Sequence, residues 1–325
     1  MTRVAIVGAG VMGLATARAL SRAGSEVVVY EQFERGHARG SSHGRSRIFR
    51  LAYPEAHWVR LAQEALAGWR ELEAETGEQL LELNGLLEIV DDVGESSAHA
   101  LAACGVPWEW LERSEVERRF PMRVPDGFFC VLQHEAGIVL AERALDAFAR
   151  GVDVRYRTPV TSLADLDADC VVVTAGAWMN RLIDPPLPVR VTAETICYFR
   201  RADARPVPAV VSFKTQGHPF YALADPDHGF KIGAHHTGRE VRPGADAEPD
   251  ARIVEAISTW ASNHLVVADP RPVEVGTCLY TSTSDESFVL ERRGRIVVGS
   301  ACSGHGFKFA PAIGVRLAAL ALEVL

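Results

Sequence analysis

Several polar side chains in this sequence fall at spacings that would bring them together in pairs. In "GFKIGAHHTG" (229–238) an extended backbone sends alternate side chains to opposite faces, so Lys231, Gly233 and His235 share one face and Phe230, Ile232 and Ala234 the other. The plain alternative is a solvated sheet face. Arg47 and Arg50 stand three residues apart in "RSRIFR". A planar guanidinium can grip a carboxylate through two parallel hydrogen bonds, which an exposed lysine cannot match; two solvated arginines are the competing reading. Cys278 shares a strand face with Gly276 and Tyr280, which points a thiol and a phenol at whatever that face covers, or else leaves a plain core cysteine. In "SGHGFKF" the glycines at 304 and 306 let backbone pass close to a flat ring, with the polar tips of His305 and Lys308 beside it.

The elements that would carry these groups begin at the N-terminus. "RVAIVGAGVMGLATARALSRAGSEVVVYEQ" is a strand, a glycine turn, a helix and a second strand ending in an acid. Gly8, Gly10 and Gly13 form G-x-G-x-x-G, and Glu31 follows 18 residues after Gly13, near the spacing for a ribose hydroxyl acceptor. Gly8 permits the turn, Gly10 lets backbone approach a pyrophosphate, and Gly13 lets helix and strand pack closely, with helix N–H groups facing the phosphates. A bound dinucleotide is expected, and the motif alone does not separate FAD from NAD.

Further along, a loop rich in Gly, Ser, His and Arg (35–47) precedes a helix expected over Glu55 to Glu75, with Leu61, Ala65, Leu66, Trp69 and Leu72 on its apolar stripe. "LNGLLEIV" (83–90) reads as a strand, and "SEVERRF" as a short helix capped by Ser114. "LAERALDAFAR" is helical, and "DCVVVTAGAW" is a buried strand ending at a glycine turn. From Val191 to Tyr280 β-type segments dominate, as for a sheet domain inserted between nucleotide-binding segments.

Composition narrows the function classes. The 325 residues suit two interleaved domains, and 48% hydrophobic with 23% charged content is ordinary for a globular protein. A net charge of −8 argues against nucleic acid as a partner, because no basic surplus exists to displace counterions. The opening "MTRVAIVGAG" holds one apolar burst, too short for a leader or a membrane span, so a cytoplasmic protein is expected. Six scattered cysteines, with no C-x-x-C and no metal-like spacing, point to neither a disulfide frame nor a metal site.

"SSHGRSRIFRLAY" (41–53), "GFKIGAHHTG", "GTCLYTSTSDESFVL" (276–290) and "SGHGFKFAP" (303–311) occur in this order. Together they resemble the monomeric sarcosine oxidase and N-methyltryptophan oxidase family of flavin amine oxidases, within the D-amino-acid-oxidase-like superfamily, over nearly the whole chain. The resemblance implies a Rossmann-like FAD-binding domain (1–82, 136–182 and 285–325) with an inserted antiparallel-sheet substrate domain (83–135 and 183–284). It implies FAD bound covalently through Cys278, and a monomer that takes a secondary amino acid and oxygen and releases hydrogen peroxide. By the same resemblance Arg50 and Lys308 hold the substrate carboxylate, Tyr221, Tyr280 and His235 line the substrate space, Lys231 serves oxygen activation, and His305 and Arg47 lie near the flavin. Val11, Met12, Ser42, Ser46, Val160, Gly176, Trp178, Gly304, Gly306 and Phe307 are likewise assigned to the cofactor. A cyclic imino acid is the neighbouring alternative substrate; an NAD(P)-linked or non-catalytic dinucleotide-binding protein is the distant one. Two departures from the family stand out. The chain stops at Leu325, soon after the "GHGFK" stretch, and Val160 to Val171 is too short for the usual β-meander. Both are expected to affect stability and oligomeric state more than activity.

Overall fold

A strand that is apolar on both faces needs cover on both sides, and Arg3–Val7 is such a strand: Val4, Ala5, Ile6 and Val7 are all buried. In the computed structural model, which describes residues 1–92, 94, 96–212 and 217–323, it lies within a six-stranded sheet. The strand order is 289–293, 296–300, 170–173, 3–7, 26–30, 153–155. Only the 289–293/296–300 pair is antiparallel; the other four pairings are parallel, with Val4 in register with both Cys170 and Val27. The helix Val11–Arg22 follows the first strand directly. It meets the final helix, Ala310–Leu322, at Ala15: a Cβ on Gly314 would stand 2.6 Å from the Ala15 carbonyl carbon, so the two helices touch backbone to backbone.

The helix Ala56–Thr76 ends at Gly77, whose φ of +71° is the left-handed stop that glycine adopts freely. Its buried face is Val59, Ala62, Ala65, Trp69 and Leu72. Leu61 and Leu66, expected on that stripe, are only half-buried, because the helix turns its Val59 and Ala62 side inward. Ser114 is not a cap either. The helix Arg113–Arg119 starts two residues earlier than that cap implies, with Glu112 in extended backbone at the cap position and no side-chain cap bond.

The second sheet has nine strands and is mixed: Ala209–Ser212 runs parallel to Leu86–Val90, while its other pairings are antiparallel. Its longest strand, Arg190–Arg200, pairs with Glu274–Ser282 along one edge and with Gly229–Ala234 along the other. One face is covered by a helix that the β-rich reading of this region passed over, Ala251–His264, capped by the Asp250 carboxylate on the Arg252 N–H. Ile253, Ile257, Trp260 and Ala261 of that helix pack on Phe230, Ile232 and Ala234 of the sheet. A three-stranded sheet built on Gly137–Leu140, flanked by Ser46–Phe49 and Leu81–Glu82, joins the two large ones. Among the described residues no helix is long and apolar enough to cross a membrane.

Candidate active site

The expected cofactor and substrate residues converge on one cavity of about 730 Å³. At one end is the glycine turn. A Cβ on Gly13 would fall 1.9 Å from the Gly8 carbonyl oxygen, so only glycine lets the helix start this close to the strand. Gly13 therefore sits behind the wall, while Gly8, Gly10, Val11 and Met12 line it. Ser42 Oγ accepts the Val11 N–H at 3.1 Å, tying the 41–46 loop to the helix start. Glu31, buried, accepts the N–H groups of Ala9 at 2.9 Å and Phe33 at 3.0 Å. Val160, Gly176 and Trp178 line the same end, with Trp178 packed edge-on against Phe33.

Toward the middle, Arg47 organises the 41–46 loop. Its guanidinium donates to the carbonyls of Ser41 (2.8 Å), Ser46 (2.9 Å) and His43, and lies 4.0 Å from Cys278 Sγ and 5.5 Å from the Phe307 ring centre. Lys231 is 4% exposed, not solvated, and donates to the Ser46 carbonyl at 3.2 Å. Burial, and then the nearby Arg47, lower its pKa to about 7. His43, on the same loop, is held down at about 4 by burial and by Arg47; it lines the cavity and was not singled out in the sequence.

At the far end stand Tyr221, Tyr280, His235, His305, Arg50 and Lys308. His235 Nδ1 is 3.3 Å from the Tyr280 hydroxyl, and its ring meets both tyrosines edge-on. Burial raises both phenols well above their ordinary range. Burial also lowers His235 to about 3, assisted by His236, and His305 to about 3, assisted by Lys308. Lys308 is 4% exposed and donates to the Tyr53 hydroxyl at 2.9 Å and the His305 carbonyl at 2.8 Å. Its pKa lies well below the usual lysine range because of burial, with Arg50 adding to the shift. Arg50 meets the same tyrosine through its ring: its Cζ is 4.1 Å from the Tyr53 ring centre, and it donates to the Ala52 carbonyl at 2.7 Å. Tyr53 is thus the hub of the two cations. It lies in a motif quoted above, but an aromatic three residues after Arg50 reads as core, and only the fold reveals its partners.

The glycines at 304 and 306 line the cavity for a different reason from the one their sequence suggests. A Cβ on Gly304 would fall 2.4 Å from Tyr280 Cε2 and 2.7 Å from His235 Cε1, and one on Gly306 would fall 1.7 Å from the Ala301 carbonyl oxygen. Their lack of side chains makes room for protein atoms. The fold also brings one donor atom from each of His235, His236 and Glu286 within 4.8 Å of one another, a grouping that sequence spacing did not indicate.

In a chain of net charge −8, this cavity collects Arg47, Arg50, Lys231 and Lys308. That concentration suits an anionic dinucleotide and a carboxylate. Ser46 adds a buried hydroxyl with no hydrogen-bond partner among the described residues, a group free for a ligand. Over residues 3–320 the sequence matches the family described as FAD dependent oxidoreductase. The chain belongs to that family. FAD is the cofactor that membership of this family brings. Mouse peroxisomal sarcosine oxidase is 31% identical over 357 residues, covering 98% of this chain and 92% of the relative. N-methyl-L-tryptophan oxidase of Yersinia pestis (strain Pestoides F) is 28% identical, covering 95% and 92%. The structure of NikD, an unusual amino acid oxidase essential for nikkomycin biosynthesis, superposes with a TM-score of 0.87 at 28% identity, covering 99% of this chain and 95% of NikD.

Proposed function

We propose that this FAD dependent oxidoreductase oxidises secondary amino acids, N-methyl or cyclic, with oxygen as the final acceptor. The observation that carries the reading is the meeting of two basic side chains, Arg50 and Lys308, on Tyr53 at the end of the cavity remote from the glycine turn, where both are cations once a carboxylate is bound. Two cations beside one small space select a carboxylate, which a simple amine lacks. The names of the sarcosine and N-methyl-L-tryptophan oxidases agree with such a substrate.

In this reading Arg50 and Lys308 hold the carboxylate while Tyr221, Tyr280 and His235 surround the amine. The cations and the uncharged His235 favour the amine as its free base, because a protonated amine would be repelled. FAD, when bound, supplies the two-electron acceptor and the reaction with oxygen. Oxidation of the C–N unit removes two electrons and two protons and gives an imine, which water hydrolyses. Gly8, Gly10, Val11 and Met12 face the pyrophosphate, and Glu31 the ribose. Ser42, Ser46, Arg47, Val160, Gly176, Trp178, Gly304, Gly306, Phe307 and His305 complete the cofactor's surroundings. Cys278, with Arg47 4.0 Å from its sulfur, is the proposed point of covalent attachment. Lys231 contributes a buried amine whose charge, when present, stabilises negative charge developing beside it. The proposal extends to a cytoplasmic monomer, to be checked by fractionation and sedimentation.

A screen of hydrogen peroxide release over N-methyl and cyclic amino acids, alongside their decarboxylated amines, tests the assignment. Release with at least one amino acid and much less with its decarboxylated counterpart is expected. Equal rates for the two would overturn the carboxylate reading, and no release from any secondary amine would overturn the activity.

A further inference from the structure

The hydrogen-bond directions around Tyr53 follow from a single fixed point. His305 Nε2 lies 3.0 Å from the Glu286 carbonyl oxygen, which only accepts, so Nε2 carries a hydrogen. His305 is neutral, so its Nδ1 is a bare lone pair, and the Tyr53 hydroxyl 3.2 Å away must donate to it. The Tyr53 oxygen is then an acceptor toward Lys308 Nζ at 2.9 Å, and the His305 carbonyl is a second acceptor at 2.8 Å. An uncharged amine has two N–H groups, and these two acceptors use both. An ammonium has three. Among the described residues Nζ meets only these two acceptors, so an ammonium's third N–H would point unpaired into the cavity, and Arg50 on the same tyrosine adds like charge.

We propose that Lys308 rests as an uncharged amine in the substrate-free enzyme and takes up a proton together with the substrate carboxylate, Tyr53 being the positioning residue that orients its amine. The carboxylate supplies the missing acceptor and the countercharge at once. The proposal rests on the carboxylate reading of Arg50 and Lys308 given above. The depressed pKa of Lys308, caused by burial and then by Arg50, is in keeping with it. The other titratable groups around the site are Tyr53, Glu55 at the start of the following helix, His305 on the same turn as Lys308, His235 and His236 after the strand Gly229–Ala234, and Glu286. Glu286 is engaged by His236 at 3.2 Å, and no acid contributes to the shift of Lys308.

The sign follows from linkage. A base whose pKa is low in the free enzyme and raised by the ligand binds that ligand with proton uptake, so affinity falls as pH rises, by about tenfold per unit between the two pKa values. The test uses the holoenzyme and cyclopentanecarboxylate, which has no amine to titrate, with cyclopentanecarboxamide as the uncharged control. Dissociation constants are read from the flavin absorbance between about pH 6 and 10, and proton uptake from calorimetry in buffers of different ionisation enthalpy. Wild type is expected to bind the carboxylate more weakly as pH rises, taking up about one proton per ligand, while the carboxamide shows no trend. Lys308→Arg, permanently charged, is expected to bind the carboxylate without that proton. Tyr53→Phe, which removes an acceptor of the ammonium, is expected to move the break to lower pH. A wild-type constant that does not change with pH, or a proton still taken up by Lys308→Arg, overturns the proposal; the latter would move the proton to another group such as Lys231. If the carboxylate binds no better than the carboxamide, the clamp itself is wrong and the inference falls with it.

Discussion

Replacing Lys231 with methionine is expected to make the protein more stable, by an amount that depends on pH. Lys231 is fully enclosed and its pKa falls from 10.5 to about 7, chiefly through burial. Between those values the unfolded chain holds a proton that the folded chain has lost, so folding is opposed below about 10.5 and the penalty grows as pH falls, levelling off near 7. At about 1.4 kcal/mol per pH unit, the penalty is roughly 3 kcal/mol at pH 8 and under about 1 kcal/mol at pH 10. Methionine has a similar length and no charge. It gives up the bond to the Ser46 carbonyl, worth about 1 kcal/mol, but that oxygen keeps its bond from Arg47 at 2.9 Å and is not left bare. The net gain for Lys231→Met is therefore about 2 kcal/mol at pH 8, vanishing near pH 10. Urea unfolding of flavin-free protein, in a Cys278→Ser background that keeps the flavin removable, measures this at both pH values. A difference that is the same at both, or a loss of stability at pH 8, would refute the account of Lys231 as a buried, readily neutralised amine. Peroxide formation by the holoenzyme is expected to fall in the same variant, which would mark the lysine as kept for chemistry at the expense of stability.

Three other outcomes are expected. Acid precipitation is expected to leave the wild-type pellet yellow, with Cys278→Ala releasing its colour to the supernatant; a colourless wild-type pellet rules out covalent attachment. Arg50→Met removes one partner of a desolvated charge contact, typically about 2 to 5 kcal/mol, so kcat/KM for amino acid substrates is expected to drop more than tenfold while decarboxylated amines change little. A drop within about twofold, under 1 kcal/mol, refutes the role of Arg50. Gly13→Ala forces a methyl to 1.9 Å from the Gly8 oxygen, and loss of flavin with at least about 1 to 3 kcal/mol of stability is expected; wild-type flavin content and melting temperature would show the turn to be more yielding than its geometry implies.

What the sequence disclosed was mostly what local rules govern. Gly8, Gly10 and Gly13 are legible by their mutual spacing between a strand and a helix, although what crowds Gly8 and Gly10, Thr174 and Ser42, lies across the fold; the strict alternation around Lys231 set its face before any partner was known. The helix Ala251–His264 escaped because Ile253, Val254, Ile257 and Thr259 are β-branched and sit among strands. Its 253, 257, 260, 261 apolar spacing and the Asp250 cap were the signals available. Tyr53 and His43 escaped for another reason. Their roles depend on Lys308, His305 and Lys231, residues brought close only by the packing of distant segments. The glycines at 304 and 306 were visible as glycines, but what needs their space, Tyr280 and the Ala301 carbonyl, lies across the fold.

The backbone contact between Ala15 and Gly314 has a consequence for how the molecule comes into being. The dinucleotide turn is synthesised well before the helix that packs against it, and strands 170–173 and 296–300 of the same sheet also follow it. For most of synthesis the turn has sequence but no socket. Cofactor capture is then a late event, and because contacts this far apart in sequence form slowly, the nascent chain spends that interval with apolar strands uncovered. Aggregation during that interval is the hazard that pairing two helices so distant in sequence carries.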